Sequence, residues 1–543
     1  MQNKKNSFSR AVSAVLAILS LVSASSCALR LSDVITIRRN LDGTPVTTAE
    51  TTAPPIITEA PTTAFPEHTE APETAPETLP DGDVIVTAEI PQPLGEIVPV
   101  EQQDNFAIAK AYLTALPQKD FKDVAVNIMT SSAPLFMPEN VGDPIDNARI
   151  ERNGMIEAKY NTRIICFDVP TSEIYQSSRE AVMSGEYYTD LIAVPQNWLG
   201  SFAMSNLLMN LRSLPFTDYS APYFDQAAMQ QSTTQFNIWG AYGCFNEDPD
   251  YFWCLFFNKT LVSKLGLTSP YDYVYKGEWT LDRMEEYAKA ARSLSVDGWG
   301  SAADENVTLD MLFAASGEHY FNCRLGSVPQ QKAAGTTAVS LVKRIRSLMY
   351  GSQTVYPGGR FKPDYEGGRA AFYNGQIMFF ADHPYVITWF TDMKDDWGVL
   401  PMPKASKDQE FYSSYTDRSM PVVAVIKNSA TTENAGLFLQ AANAASYRFI
   451  EDVWYDRLAR DVIRDGDTLN MLDVVFGRGD QGKAWVDFSV NFGESLPYIG
   501  DAGYKLMRSC AKNGRDYAAA VKATMATVRE NNAEKFRINP TKD

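Results

Sequence analysis

The chain has little histidine, a deficit of positive charge and almost no long apolar runs. Three histidines occur in 543 residues. His68 falls in a Thr/Pro/Glu-rich stretch. That leaves His319 and His383, too few and too isolated for a zinc site, which needs clustered His and Cys ligands. Lys and Arg number 49 against 66 Asp and Glu, a net charge of −17. Affinity for nucleic acid comes from clustered Lys and Arg on phosphates, so this balance argues against it as a partner. There are six cysteines. Apart from Cys27 they are Cys166, Cys244, Cys254, Cys323 and Cys510, without CxxC spacing. They read as small buried hydrophobes, with a Cys244–Cys254 disulfide as the less favoured alternative. Glu247, Asp248 and Asp250 lack the rest of a calcium loop and read as a solvated turn. There is no G-x-x-x-x-G-K-[ST] phosphate loop, no G-x-S-x-G elbow and no motif that pairs two carboxylates. No metal, cofactor or catalytic residue is therefore expected.

One apolar run does stand out, at the start. Lys4, Lys5 and Arg10 precede Ala11 to Val22, about a dozen apolar residues where a membrane span needs about 20. This is the pattern of a secretory signal, residues 1–26. Ala24-Ser25-Ser26-Cys27 resembles a bacterial lipobox, which would make Cys27 the lipidated first residue of the mature protein. Residues 27–43 would follow the anchor. Thr44 to Pro80 is Thr, Pro, Glu and Ala with almost no large apolar residue after Ile57. Such a stretch cannot bury enough surface to offset its ordering entropy. It reads as a disordered linker over 44–100, reaching up to about 100 Å if extended as polyproline.

Roughly 440 residues remain, too many for one core and suited to two lobes. A helix is expected over Asp104 to Leu116 and a strand over Val124 to Met129, ending in Thr130-Ser131-Ser132. A helix (Ala148 to Tyr160), a strand (Arg163 to Val169), a helix (Ile174 to Ser184, stopped by Gly185) and a strand (Tyr188 to Val194) follow. Pro195-Gln196-Asn197-Trp198 comes next. This β-α-β-α-β alternation predicts a parallel sheet with helices on its faces. Thr280 is placed to cap the next helix, with Arg283 where a capping box would have Glu. Another helix is expected over Gln331 to Tyr350. Arg369 to Asn374 reads as a helix end stopped by Gly375. Ile377 to Phe380 is a buried strand broken by Asp382-His383-Pro384-Tyr385, with Trp389 on a helical stretch beyond. Trp397-Gly398-Val399-Leu400-Pro401 is a short strand ended by proline. A strand that ends in a polar turn with aromatics beyond it is how an open α/β sheet presents a ligand site.

The run from Ala370 to Lys404, AAFYNGQIMFFADHPYVITWF followed by DDWGVLPMPK, resembles the extracellular solute-binding proteins of ABC importers in the maltose-binding-protein-like group. So do YTDLIAVPQNWLGSFAMSNLLMNL from Tyr188, the strand ending Asn258-Lys259, and the stretch from Thr260 through TLDRMEEYAKAAR. The resemblance covers roughly Val124 to Glu494, and its strength is the order of the motifs. It implies an α/β, two-lobed, periplasmic-binding-protein-like type II fold with a ligand cleft between lobes joined by hinge crossovers. The implied division is lobe 1 over 101–252, lobe 2 over 253–412, lobe 1 again over 413–453, and lobe 2 C-terminal helices over 454–543.

Sugars present apolar C–H faces and rings of hydroxyls, which aromatic faces and planar polar side chains bind. The ligand residues expected on this basis are Trp198, Tyr385, Asp382, His383, Gln196, Asn197, Ser131 and Trp454. Five of them have a structural alternative: core packing for Tyr385, a place on the lobe surface for Trp198, strand-end capping for Ser131, a hydrogen-bonded structural role for His383, and packing at the lobe interface for Trp454. Tyr412 and Arg418 lie near the second crossover and read as hinge-loop residues, and Trp389 reads as core. The resemblance implies a lipid-anchored receptor on the outer face of the cell membrane. It would capture a solute, most simply a carbohydrate, for permease subunits of a transporter. The alternatives are a surface glycan-binding lipoprotein without a transporter and a glycoside hydrolase. The Pro-Gln-Asn-Trp turn departs from the maltodextrin-binding members, so sugar specificity does not carry over.

Overall fold

The computed structural model describes residues 38–39, 45–46, 104–138, 140–234, 236–318, 321–322, 330–331, 335–356, 365–429, 432–463, 465–477, 485–487 and 504–524. The signal segment, Cys27, His68, nearly all of the Thr/Pro/Glu stretch, His319 and Cys323 lie outside the described residues. Arg38–Arg39 pairs antiparallel with Pro45–Val46, in a unit separate from the body that begins at Val98.

The body opens with α1 (Asn105–Ala115), capped by Asp104, which accepts from the Ala107 N–H. Strand β1 is Val126–Thr130. It begins two residues later than its apolar pattern suggests, because Lys122 and Asp123 have φ of 58° and 60° and turn the chain first. Helix α2 (Pro144–Tyr160) starts a turn earlier than its hydrophobic periodicity. Asp143 accepts from the N–H groups of Ile145 and Asp146, and Pro144 sits in the first turn, where a missing N–H costs nothing. Strand β2 (Ile164–Asp168), α3 (Thr171–Ser184) and β3 (Leu191–Pro195) follow. Gly185 closes α3 at φ 80°, the left-handed cap that glycine adopts without strain. Strands β1, β2 and β3 are parallel.

The chain then passes to a second sheet. Its strands are β4 (Cys254–Asn258), β5 (Asp297–Ser301), β6 (Ile377–Asp382) and β7 (Trp397–Leu400), in the spatial order β7-β4-β6-β5. Helices α4 (Leu281–Ala291), α5 (Glu305–Ala314), α6 (Thr336–Arg346) and α7 (Tyr365–Tyr373) intervene. Thr280 caps α4 by accepting from the Arg283 N–H. Every residue of β4 and β6 is buried, so both faces of this sheet are covered. Strand β8 (Pro421–Val425) returns to the first sheet, pairing antiparallel with β3 to give the order β8-β3-β1-β2.

The two passages between sheets run side by side. The Trp253 N–H donates to the Tyr415 carbonyl at 3.0 Å, and the Asp417 N–H donates to the Tyr251 carbonyl at 2.7 Å. Helices α8 (Thr432–Ser446) and α9 (Phe449–Asp461) pack on α1 and α2, beside the first sheet. Helix α10 (Gly466–Val475) packs on β7, and α11 (Tyr504–Asn513) on α5 and α6. The final return to the second lobe therefore follows Asp461. Trp454 lies in a helix of the first lobe, contrary to the boundary expected at that residue. Cys166, Cys244, Cys254 and Cys510 are free thiols, so no Cys244–Cys254 disulfide forms. Cys254 and Cys510 are buried, and Cys166 and Cys244 are half-buried. No helix among the described residues is long and apolar enough to cross a membrane.

Candidate ligand-binding site

Strand β6 runs through Asp382, two residues beyond its apolar core, and a 3-10 turn over Pro384–Phe390 follows. Proline at 384 cannot donate to the sheet, so the strand ends there. Asp382 is fully buried. Its carboxylate accepts from Arg369 Nε at 2.7 Å and Nη2 at 3.2 Å, and from the His383 N–H at 2.8 Å. Asp382 is therefore an anchor inside the lobe and presents no free oxygen to a ligand. Arg369, on α7, has no local sequence signal that marks it; only the fold brings it to Asp382.

Arg369 organises the turn. Its Nη2 donates to the Tyr385 hydroxyl at 2.6 Å. Its guanidinium lies 5.3 Å from the Tyr385 ring and 4.6 Å from the Trp389 ring. Tyr385 is 39% exposed and Trp389 53% exposed. Two large rings at the carboxyl edge of a sheet are thus held in place by one buried cation and still present surface to solvent. Trp389 faces solvent, although helical spacing from Tyr385 reads as core.

His383 is buried. Its ring lies 4.0 Å from the Trp253 ring and 5.7 Å from the Tyr385 ring. Nδ1 is 3.5 Å from Asp382 Oδ1, and Nε2 is 3.5 Å from Asp417 Oδ2 in the second crossover. Burial pulls the imidazolium down, but the nearby carboxylates of Asp382 and Asp417 outweigh it, so the pKa is raised. Asp417 is pushed up by burial and pulled further down by the His383 hydrogen bond and charge, to about 2. Asp250, in the first crossover, is raised by burial and by Asp248, against a hydrogen bond from Trp454.

The remaining expected residues fall into two groups. Gln196 is fully buried, and Nε2 donates to Thr416 Oγ1 at 3.0 Å and the Asp417 carbonyl at 2.8 Å. Its amide ties β3 to the second crossover and is not presented to a ligand. Trp454 is 3% exposed and packs edge-on against Tyr455 and Phe476, both at 5.4 Å. It is core between the lobes, since Phe476 follows α10 and also meets Phe252 at 5.2 Å. Trp198, Asn197 and Ser131 stand at the carboxyl ends of β3 and β1. Trp198 is half-buried, 6.0 Å from Tyr175. Ser131 is exposed, with its hydroxyl 3.0 Å from that of Thr171. The Asn197 Oδ1 is buried without a hydrogen-bond partner.

Near the hinge, Tyr412 is buried under the Trp279 N–H and the Val274 carbonyl, away from the crossovers' polar groups. Asp248 accepts from Arg149 at 2.5 Å and from the Asp250 N–H at 2.9 Å, so this turn is held by the protein itself. Among the described residues no group of three or more His, Cys, Asp or Glu is arranged to hold a metal. A groove of about 410 Å³ lies between α2 and α9, lined by Asn147, Glu151, Phe449 and Arg457, apart from the aromatic turn.

No protein-family model matches the chain, and no curated protein matches it by sequence. Solved structures do. A cyclo/maltodextrin-binding protein complexed with maltotetraose is 16% identical, with 77% of this chain and 98% of that chain covered, at a TM-score of 0.50. A maltose-bound MalE3 of T. maritima is 15% identical over 75% of this chain and 99% of that one, at 0.46. The ABC substrate-binding protein Lmo0181 from Listeria monocytogenes, in complex with cycloalternan, is 13% identical over 76% and 99%, at 0.47. Two α/β sheets joined by paired crossovers, matched over most of the chain by such a structure, make this the two-lobed fold of periplasmic binding proteins.

Proposed function

We propose that this chain is the substrate-binding lipoprotein of an ABC importer, capturing a sugar or oligosaccharide outside the cell and delivering it to a permease. The observation that carries the reading is the pair of exposed rings, Tyr385 and Trp389, fixed by Arg369 where the second sheet ends. A sugar ring has an apolar C–H face that stacks on such rings, and its hydroxyls suit the polar groups around them. In open α/β sheets ligands bind at the carboxyl ends of strands, where these residues stand. Paired crossovers between two lobes are the place for a hinge that closes on a ligand. The structurally similar maltodextrin-binding protein holds maltotetraose, which favours carbohydrate over peptide. Cys27 would carry the lipid and the Thr/Pro/Glu stretch would space the receptor from the membrane.

The test is a thermal-shift screen of the chain against mono- and oligosaccharides, with amino acids and peptides as controls. A ligand at about 100 times its dissociation constant stabilises the native state by about 2.7 kcal/mol. The expected result is a saturable shift with one class of glycan, no cleaved product by chromatography, and loss of the shift in Trp389→Ala. A shift with peptides alone overturns the carbohydrate assignment, and cleaved sugar makes the protein an enzyme. Incorporation of labelled fatty acid, lost in Cys27→Ala, tests the anchor.

A further inference from the structure

Two backbone hydrogen bonds join the crossovers, and each joins residues held by the same lobe. The first runs from the Trp253 N–H to the Tyr415 carbonyl. Trp253 is held by the second lobe. Its ring lies 4.0 Å from the His383 ring, and the next residue, Cys254, begins β4 opposite Asp382 of β6. Tyr415 is held there too. The neighbouring Ser414 hydroxyl donates to the Val475 carbonyl at the end of α10 at 2.6 Å, and α5 packs on the short strand Ser413–Tyr415. Just upstream, Gln409 Nε2 donates to the Ala315 carbonyl past the end of α5 at 3.0 Å. Helix α5 is itself gripped by α11, whose Arg508 Nε lies 2.9 Å and 3.1 Å from the two oxygens of the fully buried Asp310.

The second bond runs from the Asp417 N–H to the Tyr251 carbonyl, and both residues are held by the first lobe. Tyr251 closes the turn Pro249–Tyr251, whose cap, Asp248, is taken by Arg149 of α2 at 2.5 Å. The Asp417 carbonyl and the Thr416 hydroxyl accept from the Gln196 amide just past β3, and the Gln196 N–H donates to the Met420 carbonyl at 2.9 Å. Between the two bonds, Phe252 and Thr416 face each other in an antiparallel bridge. Contacts that cross between the lobes here are packing or longer polar ones. His383 Nε2 is 3.5 Å from Asp417 Oδ2, and the Phe252 ring is 5.2 Å from Phe476. The turn Pro249–Tyr251 packs on the turn Pro384–Phe390. The strand Trp485–Asp487, paired with Ser413–Tyr415, packs on the helix Gln226–Gln231 of the first lobe.

We infer that the lobes turn about one joint, the Phe252–Thr416 bridge, with the change in backbone angle confined to Phe252–Trp253 in the first crossover and Tyr415–Thr416 in the second. A hinge needs only a few residues that absorb a change in φ and ψ. None of these four is glycine or proline, and the extended region is broad enough for the change without strain. Because each hydrogen bond pairs residues of one lobe, the joint can open and close with both bonds intact. Short directional bonds move with their lobe, while ring and packing contacts slide. Ser413–Tyr415 moves with the second lobe because the C-terminal part of the chain, through Val475 and through α11 on α5, holds it there. The joint presupposes the hinged receptor proposed above, but not any particular ligand.

The two bonds are also the probes. Amide exchange is read residue by residue in the full chain, under native conditions and without ligand, after each lobe is loosened separately. Gly398→Ala loosens β7 of the second lobe; if it does not fold, Ile377→Val in β6 takes its place. Ile128→Val loosens β1 of the first lobe. The second-lobe variant should speed exchange of the Trp253 amide and of 413–415 by roughly threefold to tenfold, and leave the Asp417 and Gln196 amides within about twofold. The first-lobe variant should do the reverse, by roughly threefold. Both bonds responding to the same variant, each responding to the wrong lobe, or neither responding would overturn the joint. No ligand is present, so this experiment and the thermal-shift screen fail independently.

Discussion

Removing the Arg369 side chain is the sharpest test of how the aromatic turn is held. The side chains of Arg369 and Asp382 are 7% and 0% exposed. This is a buried pair, and the small values typical of surface ion pairs do not apply. Arg369→Ala leaves the Asp382 carboxylate in the interior with the His383 N–H as its remaining strong donor. Breaking one side of a buried pair costs about 3–5 kcal/mol. Unfolding entropy is about 2.1 cal/mol/K per residue. If a lobe of about 200 residues melts alone, the loss lowers its midpoint by about 7–12 °C, and by about half that if both lobes melt together. The double variant Arg369→Met/Asp382→Leu removes both charges and should recover most of the loss, because a buried pair replaced by apolar groups is often nearly neutral. Scanning calorimetry of wild type, Arg369→Met, Asp382→Leu and the double variant closes the cycle. A cost of less than about 1 kcal/mol for Arg369→Ala would refute the reasoning, since it would mean that water solvates Asp382 in the native state.

Four further outcomes rest on the same geometry. Trp389→Ala should weaken ligand binding at least tenfold by titration calorimetry while leaving the melting temperature within about a degree, because an exposed ring contributes little to the core. Gln196→Ala should do the reverse, destabilising by about 1–3 kcal/mol, since Thr416 and the Asp417 carbonyl lose their buried partner. Gly398→Ala places a Cβ 1.9 Å from the Tyr271 hydroxyl and 2.7 Å from the Phe257 ring. β7 would have to shift, and a loss of about 1–3 kcal/mol is expected by chemical denaturation. For Asp417 the sign is opposite to that of His383: its pKa is lowered, so its contribution is complete above pH 4 and is lost as pH falls toward 2. The stability gap between wild type and Asp417→Asn should therefore shrink on acidification, read from denaturant midpoints across that range.

The local signals in this chain are strong where backbone chemistry is local. Short apolar runs found the strands, Gly185 and Gly375 stopped helices at φ of 80° and 70°, and Thr280 capped α4. Boundaries slipped where a polar residue outside the apolar pattern did the work, as at Asp143, or where left-handed residues turned the chain, as at Lys122 and Asp123. The order of these elements also pointed to two lobes, because parallel strands with intervening helices form sheets covered on both faces.

Which side chains face a ligand was not local information. Gln196 and Trp198 are two residues apart, yet one is sealed into the hinge by a residue 220 positions away and the other is half-buried against Tyr175. Trp454 became core because Phe252 and Phe476, far apart in the chain, meet it or each other. Asp382 stands in the expected turn, but Arg369 takes its oxygens and holds the exposed rings of Tyr385 and Trp389 at the candidate site. The sequence by itself determined the elements, their order and the two-sheet plan, since these rest on periodicity, capping and glycine geometry over a few residues. The tertiary structure decided exposure and charge pairing, because burial of an aromatic ring or a carboxylate depends on neighbours that only folding brings together.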